Sequence, residues 1–482
     1  MRTSIVATLG PSTASRERVR ALADEGVDVF RINMAHTGHA ALRQMVEWVR
    51  LASEETDRPI AVLADLAGPK IRVGALPAPI ELIDGSIVVL APEDEAAGRE
   101  IPTTYERLAD DVAPGNRILL DDGLMELSVR AVRERRVECE VIQGGRLLPN
   151  KGLNLPGVRV STPALSEKDI DDLGAAIDAD VDFVGLSFVQ RVEDVRDLRE
   201  RIGRGGAHIV AKIEKDVALD NIGEILQHTD AVMVARGDLG VELPFERVPV
   251  AQKRIIQLAN LYHRPVITAT QMLESMMDAP RPTRAEASDV ANALFDGTDA
   301  VMLSGETAAG RFPLHAVAAM RRIITEIEGT RAFGEGPKYD VAAAESAGTF
   351  GAPVAEHLQP GQTPTDHALA ALTSQGARLL GAAAVVVLTR FGGSARLVSS
   401  YRPNVPILGV THDERTYRQL ALAWGVRPLL CPTEPTYEHM VAWARHWMLE
   451  KGIGSKGDRF IVTAGVPFHV PGSTNMLRVE EL

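Results

Sequence analysis

The sequence predicts an α/β chain: a (β/α)8 barrel, a small β-barrel domain inserted into it, and an open α/β domain at the C-terminal end. Three observations predict this. Eight short, nearly all-apolar runs alternate with longer amphipathic stretches through the first and middle thirds, the pattern of parallel strands covered on both faces. That spacing breaks once, between residues 65 and 181, where Gly, Pro and short alternating runs take over. A stretch rich in Gly, Ala and Pro at 329–364 then precedes a second, shorter α/β alternation.

Taken in order, the candidate barrel strands cover 4–9, 27–33, 60–65, 181–187, 208–212, 231–235, 266–269 and 300–304, with amphipathic helices such as 16–25 and 252–262 between them. The barrel is assigned residues 1–69 and 159–335. The insert is assigned 70–158, with strands at 87–90, 117–120 and 126–132. It interrupts a βα loop, on the face where barrel active sites lie, and a lid role follows from that position. The C-terminal domain is assigned 336–482, with elements at 368–380, 384–388, 397–401, 407–410, 417–424, 441–451 and 459–463.

Composition narrows the function. A chain of 482 residues is too long for one core. A net charge of −13 argues against a general nucleic-acid or anionic-membrane binder, so any phosphorylated substrate must meet a local cluster of cations. Cys139 and Cys431 are far apart and form no CxxC pair, which points to a reducing cytoplasm rather than a disulfide framework or zinc site. The opening residues lack the apolar length of a signal peptide, and no run reaches the ~18 apolar residues of a membrane span.

Polar residues stand where the strands end: Thr8, Arg31 and Asn33, Asp65, Ser187, Lys212 and Glu214, Arg236 to Asp238, Thr270, and Ser304 to Glu306. In a closed barrel these positions converge on one mouth. Glu214 and Asp238 end neighbouring strands with no His or Cys nearby, a hard-oxygen pair suited to Mg²⁺ or Mn²⁺; the alternative is a pair of salt bridges to Lys212 and Arg236. Lys212 lies two residues before Glu214, so both point the same way. A fixed cation beside a divalent ion suits a phosphoryl group in transit. Gly237 lets the backbone approach a ligand, and its amide with that of Asp238 can hold a carboxylate. No Walker A, GxGxxG, nucleophile-elbow or HExxH motif occurs.

At these residues the chain resembles the pyruvate kinase family over nearly its full length. The motifs are SIVATLGPS (4–12), RINMAH (31–36), KGLNLPG (151–157), SEKD (166–169), AKIE (211–214), VARGDLGV (234–241), TATQMLESM (268–276), MLSGET (302–307) and PGSTNMLRV (471–479). The resemblance implies that Arg31 contacts the phosphate of phosphoenolpyruvate and that Lys212 stabilises the transferring phosphoryl group. It implies Mg²⁺ or Mn²⁺ on Glu214 and Asp238, and the substrate carboxylate at Gly237, Asp238 and Thr270. Thr270, with Ser304 and water, would protonate the enolate, and Asn33, His36, Arg72 and Lys151 would hold ADP or ATP. Pyruvate is the other product, glycolysis the implied setting.

One departure from the family pattern carries its own expectation. Members that need K⁺ line a monovalent site with Asn, Ser, Asp and Thr, with a Glu just beyond; the matching positions here are Asn33, Ala35, Asp65, Leu66 and Lys70. A Lys70 ammonium would supply the missing charge and make K⁺ unnecessary, unless it points to solvent. In the last domain Thr389, Arg390, Gly392 and Ser394 resemble the family's effector loop, a nest for a sugar-phosphate or nucleotide effector or else a plain tight turn. An allosteric homotetramer is the family expectation. Two other readings remain open from the residues: another barrel enzyme of Mg²⁺–enolate chemistry, such as an oxo-acid lyase or decarboxylase, and a non-catalytic metabolite sensor.

Overall fold

A computed structural model describes residues 1–203, 205–330, 333, 336–338, 364–431, 436–466 and 474–482. The eight apolar runs form parallel strands β1 (Ser4–Leu9), β2 (Val29–Asn33), β3 (Ala61–Asp65), β4 (Phe183–Leu186), β5 (His208–Ile213), β6 (Ala231–Ala235), β7 (Val266–Ala269) and β8 (Ala300–Leu303). Each pairs with its chain neighbour, and β1 with β8, so the sheet closes. Alternation along a strand then sorts the side chains. One set, including Val6, Val29, Leu63, Phe183, Val210, Met233 and Met302, fills the interior of the cylinder. The other packs outward on the helices in a larger core with Ile5, Phe30, Val62 and Ile209.

The helices begin and end where side chains supply caps. Ser15 caps Arg16–Glu25, which stops at Gly26 in the left-handed conformation. The SEKD segment is a capping box: Ser166 and Asp169 bond reciprocally at the start of helix Glu167–Asp178. The same Asp169 carboxylate accepts the amide of Gly68, at 3.1 Å. It therefore fixes the loop that leaves β3 toward the insert.

The insert is a six-stranded sheet beside a two-stranded ribbon, packed on its own core of Val73, Leu90, Ile118, Leu127 and Val137 among others. Its two edges are Ile101–Thr103 and Leu153–Asn154. Residues 72 and 73 bridge near both, Arg72 to Gly152 and Val73 to Thr103, which brings the two edges of the sheet toward each other. The C-terminal sheet has the order Val426–Leu430, Ile407–Thr411, Val385–Leu388, Arg459–Ala464, Met476–Glu481, parallel except for the last strand. Most of the stretch at 329–364 lies outside the described residues, as do Pro471, Gly472 and Ser473 of the PGSTNMLRV motif.

The N-terminal ends of the barrel strands share one device. Asp28, Asp182, Asp230 and Asp299 each stand just before an even-numbered strand and accept an amide from the strand before it. The donors are Ile5, Val62, Ile209 and Val266, at 2.9, 2.8, 2.8 and 2.9 Å. Each carboxylate also meets an arginine: Arg58, Arg50, Arg199 and Arg402 respectively. Arg402, and Arg418 on Asp182 at 2.6 Å, come from the C-terminal domain. That domain also places Leu422 inside the barrel's interior cluster and Trp424 in its outer core. It is thus seated on the floor, opposite the mouth.

Candidate active site

Strand parity builds the site. Thr8 lies two residues above Val6, Arg31 and Asn33 above Val29, Asp65 above Leu63, and Lys212 and Glu214 above Val210, so each turns inward over the packed interior. Asp65 lies at the centre and is buried. Its Oδ2 takes the Nε–H of Arg31 at 2.7 Å and faces Nη2 at 2.6 Å, while its Oδ1 lies 3.3 Å from Lys212 Nζ. Gly185 makes room for it: a Cβ there would fall 2.7 Å from Asp65 Oδ1.

The Lys212 ammonium is the hub. It donates to Ser187 Oγ at 2.7 Å and pairs with Glu214 Oε1 at 2.9 Å, besides its contact with Asp65. Burial opposes the charge, but Asp65 and Glu214 outweigh burial and Arg31 and hold the pKa above its ordinary value. Burial likewise works against an ionised Asp65, and Lys212 and Arg31 overcome it, holding that carboxyl below its ordinary range. The ammonium and the Asp65 carboxylate therefore both stay charged at neutral pH.

Glu214 has its second oxygen on the Phe188 amide at 2.8 Å. Burial, and then the nearby Asp238 carboxylate, push its pKa up. A buried acid whose proton affinity is raised beside a second carboxylate is a fit for a cation, and the hard oxygens of Glu214 and Asp238 suit Mg²⁺ or Mn²⁺. Among the described residues no group of three or more His, Cys, Asp and Glu side chains is gathered for a metal. Such an ion would take its remaining ligands from water and substrate, as Mg²⁺ commonly does. The salt-bridge alternative is met only in part: Glu214 does pair with Lys212, but Arg236 turns away to Asp289 at 2.7 Å.

Arg236 has another task. Its Nη2 donates to Thr270 O at 2.6 Å and its Nε reaches the carbonyls of Ala269 and Thr270, both at 3.3 Å. Those bonds hold a strained turn, for Thr270 and Gln271 have φ of +68° and +54°. Positive φ at a β-branched residue is a true outlier, at a cost of about 1–3 kcal/mol. The strain aims the Thr270 hydroxyl at the start of helix Arg236–Glu242, where Oγ1 accepts the Gly237 amide at 2.8 Å. Ser304 Oγ is buried and without a partner among the described residues.

Lys70 is exposed, on the insert side of the mouth. Its Nζ lies 3.9 Å from Asp238 Oδ1, and its stem passes under Gly152 of the insert. Asn33 turns Oδ1 to the amide of Ala35, and His36 is exposed on the same loop. Lys151 pairs with Asp121 at 2.9 Å and Arg72 donates to Asn150 O, so both cations sit on the insert's inner rim. In the C-terminal loop the Gly392 amide donates to Thr389 Oγ1 at 3.0 Å, Thr474 donates to Ser394 Oγ, and Arg390 lies exposed over the Phe391 ring.

Sequence reasoning missed the groups that support these side chains. Asp289, which anchors Arg236, is one case. Another is the buried Lys215–Glu242 pair, 3.0 Å long, to which Asn154 of the insert donates at 3.4 Å. The signal for the second was present in the position of Lys215 beside Glu214, on the opposite face of the strand end.

Residues 1–317 match the family described as pyruvate kinase, barrel domain, and residues 367–480 match pyruvate kinase, alpha/beta domain. The chain is 43% identical over 487 aligned positions to pyruvate kinase 2 of Synechocystis sp., covering 99% of this chain and 79% of that protein. It is 41% identical to pyruvate kinase of Staphylococcus aureus (strain USA300), covering 99% and 80%. Among solved structures, a pyruvate kinase from Cryptosporidium parvum superposes with a TM-score of 0.89 at 32% identity, over 100% of this chain and 96% of the other.

Proposed function

Because the chain belongs to the pyruvate kinase family, and is a phosphotransferase, we propose that it moves the phosphoryl group of phosphoenolpyruvate onto ADP, giving pyruvate and ATP in glycolysis, without need of K⁺. The observation that carries this reading is the Lys212 ammonium, held charged at the barrel mouth between Ser187, Glu214 and Asp65.

In the transfer the P–O bond to the enol oxygen breaks as one forms to ADP, and charge spreads over the equatorial phosphoryl oxygens. Lys212 stands where that charge develops and needs no reorganisation, because its three partners already fix it. Arg31 presents the guanidinium edge not used by Asp65 to the same phosphate. The substrate carboxylate lies against the first turn at Gly237 and Asp238, where it takes over the Gly237 amide from Thr270 Oγ1. A divalent ion, which the family generally uses, would be held by Glu214 and Asp238 and would neutralise phosphoryl charge. The enolate left behind takes a proton at its methylene carbon from the Thr270 hydroxyl through water, with Ser304 replenishing it. Asn33, His36, Arg72 and Lys151 border the cleft between barrel and insert, where ADP would lie.

Lys70 supplies the monovalent charge, reaching Asp238 across the same cleft. A coupled assay with phosphoenolpyruvate, ADP and Mg²⁺ in sodium- and potassium-free buffer is expected to run at full rate, and Lys70→Glu to become dependent on added K⁺. A steep rise for the unmodified protein on adding K⁺ would refute the reading.

We also read the protein as a cytoplasmic allosteric homotetramer with an effector at Thr389, Arg390, Gly392 and Ser394. The exposed edge strand Met476–Glu481 and the exposed Phe245 and Val250 are surfaces a second copy would cover. No helix among the described residues is long and apolar enough to cross a membrane.

A further inference from the structure

The loop that carries the chain from β3 into the insert runs against the residues that follow β4. Leu66 donates its amide to Gly185 O at 3.0 Å and accepts the Ser187 hydroxyl on its own carbonyl at 2.8 Å. Gly68 lies flat on Ser187 and Phe188: a Cβ there would fall 2.9 Å from Ser187 Cβ and 2.8 Å from Phe188 Cδ2. Its φ of +70° is a second reason for glycine at this position.

Ser187 and Phe188 in turn hold the charged residues at the end of β5. The Ser187 hydroxyl accepts the Lys212 ammonium, and the Phe188 amide donates to Glu214 Oε2. To aim that amide Phe188 adopts a φ of +55°, a conformation that a bulky residue keeps only where its surroundings hold it. The Glu214 carboxylate holds it on one side, and Gly68 against the ring on the other.

Gly68 is itself anchored. Asp169, fully buried, divides its oxygens: Oδ2 accepts the amide and hydroxyl of Ser166 and completes the helix cap, while Oδ1 accepts the Gly68 amide. The cap uses the first oxygen alone, so the second serves the loop. Lys70 donates its amide to Gly68 O at 2.9 Å and brings its ammonium to 3.9 Å from Asp238. One loop thus reaches both acids of the pair.

We propose that Asp169 is a positioning residue for the divalent-ion site: through Gly68 and the strained Phe188 backbone it fixes the Glu214 carboxylate that would face the ion. This rests on the reading of Glu214 and Asp238 as the ligands. Groups that bond a metal ligand from behind set the direction of its lone pairs, and losing one typically costs about 10–100-fold in metal affinity.

Mn²⁺ binding to the substrate-free full chain, followed by the electron paramagnetic resonance of the free ion, tests this without turnover. Glu214→Gln is expected to remove the binding event at the mouth. Asp169→Ala and Gly68→Ala should each weaken that event about tenfold. Ser166→Ala breaks the same helix cap but leaves the bond from Gly68 to Asp169, so it should lower the melting temperature and leave Mn²⁺ affinity unchanged. Should Asp169→Ala fail to fold, Gly68→Ala decides, because it disturbs the Phe188 ring with the cap intact. Unchanged affinity in Gly68→Ala or in folded Asp169→Ala, or equal weakening in Ser166→Ala, would overturn the role of Asp169 while leaving the ligands in place. Binding that Glu214→Gln does not alter would overturn the ligand reading, and this proposal with it.

Discussion

Lys212 shows what one residue can decide. Its ammonium neutralises two buried acids at rest and faces the mouth where a phosphoryl group would pass. Lys212→Met is expected to lower kcat by about 10³-fold or more, since removing a single preorganised donor already costs about 10²–10³. The fold should survive at a loss of up to about 3–5 kcal/mol, the usual cost of breaking a buried pair, because Asp65 keeps Arg31 and Glu214 keeps the Phe188 amide. Steady-state rates beside a thermal melt separate the two effects, and unchanged turnover would remove Lys212 from its role. At this scale the sequence was most legible. Parity along a strand follows from numbering alone, so Lys212 and Glu214 could be placed on one side, while Arg31 and Asp65 were legible as strand-end residues converging on the same mouth. What numbering could not show is that Asp65, read as a remnant of a cation site, joins Arg31 to Lys212, since that contact crosses strands far apart in the chain.

Between residue and molecule stand the turns and caps. The Thr270 turn is held in its strained form by Arg236, and a hydroxyl displaced by about 1 Å can cost about 10²-fold in rate. Arg236→Ala should therefore reduce kcat by about that factor with little change in the KM for ADP, and equal loss in both parameters would argue for general collapse. The strain was not legible, because TATQ contains no glycine to announce a positive φ. Two strands of the last sheet also went unread, for a related reason. Val426–Leu430 carries Pro428, a residue confined to edges, and Met476–Glu481 is half charged on an exposed edge. The barrel strands were read because burial on both faces makes them continuously apolar.

For the whole molecule, stability depends on the floor. His208, which opens β5, lies against Phe183; burial first, and then Arg396, Arg199 and Arg264, pull its pKa down to about 4 against the pull of Asp230. The unfolded chain, with an ordinary value of about 6.5, takes the proton first as the pH drops. Stability from this group is therefore whole above about pH 6.5 and is lost as the pH falls toward 4. The melting temperature should decline through that window, less steeply in His208→Phe; identical slopes would exclude the residue. The four aspartates that precede alternate strands were visible as repeated VD and TD pairs, but their partners Arg402 and Arg418 lie more than a hundred residues downstream and only the fold brings them back. Leu422 has a wider consequence. It is a plug from one domain set into the column of side chains whose upper end supports the catalytic cluster. Where the seating of that plug and the arrangement of the cluster are coupled, a ligand of one and a ligand of the other change each other's affinity by the same factor, for better or worse, whichever arrives first.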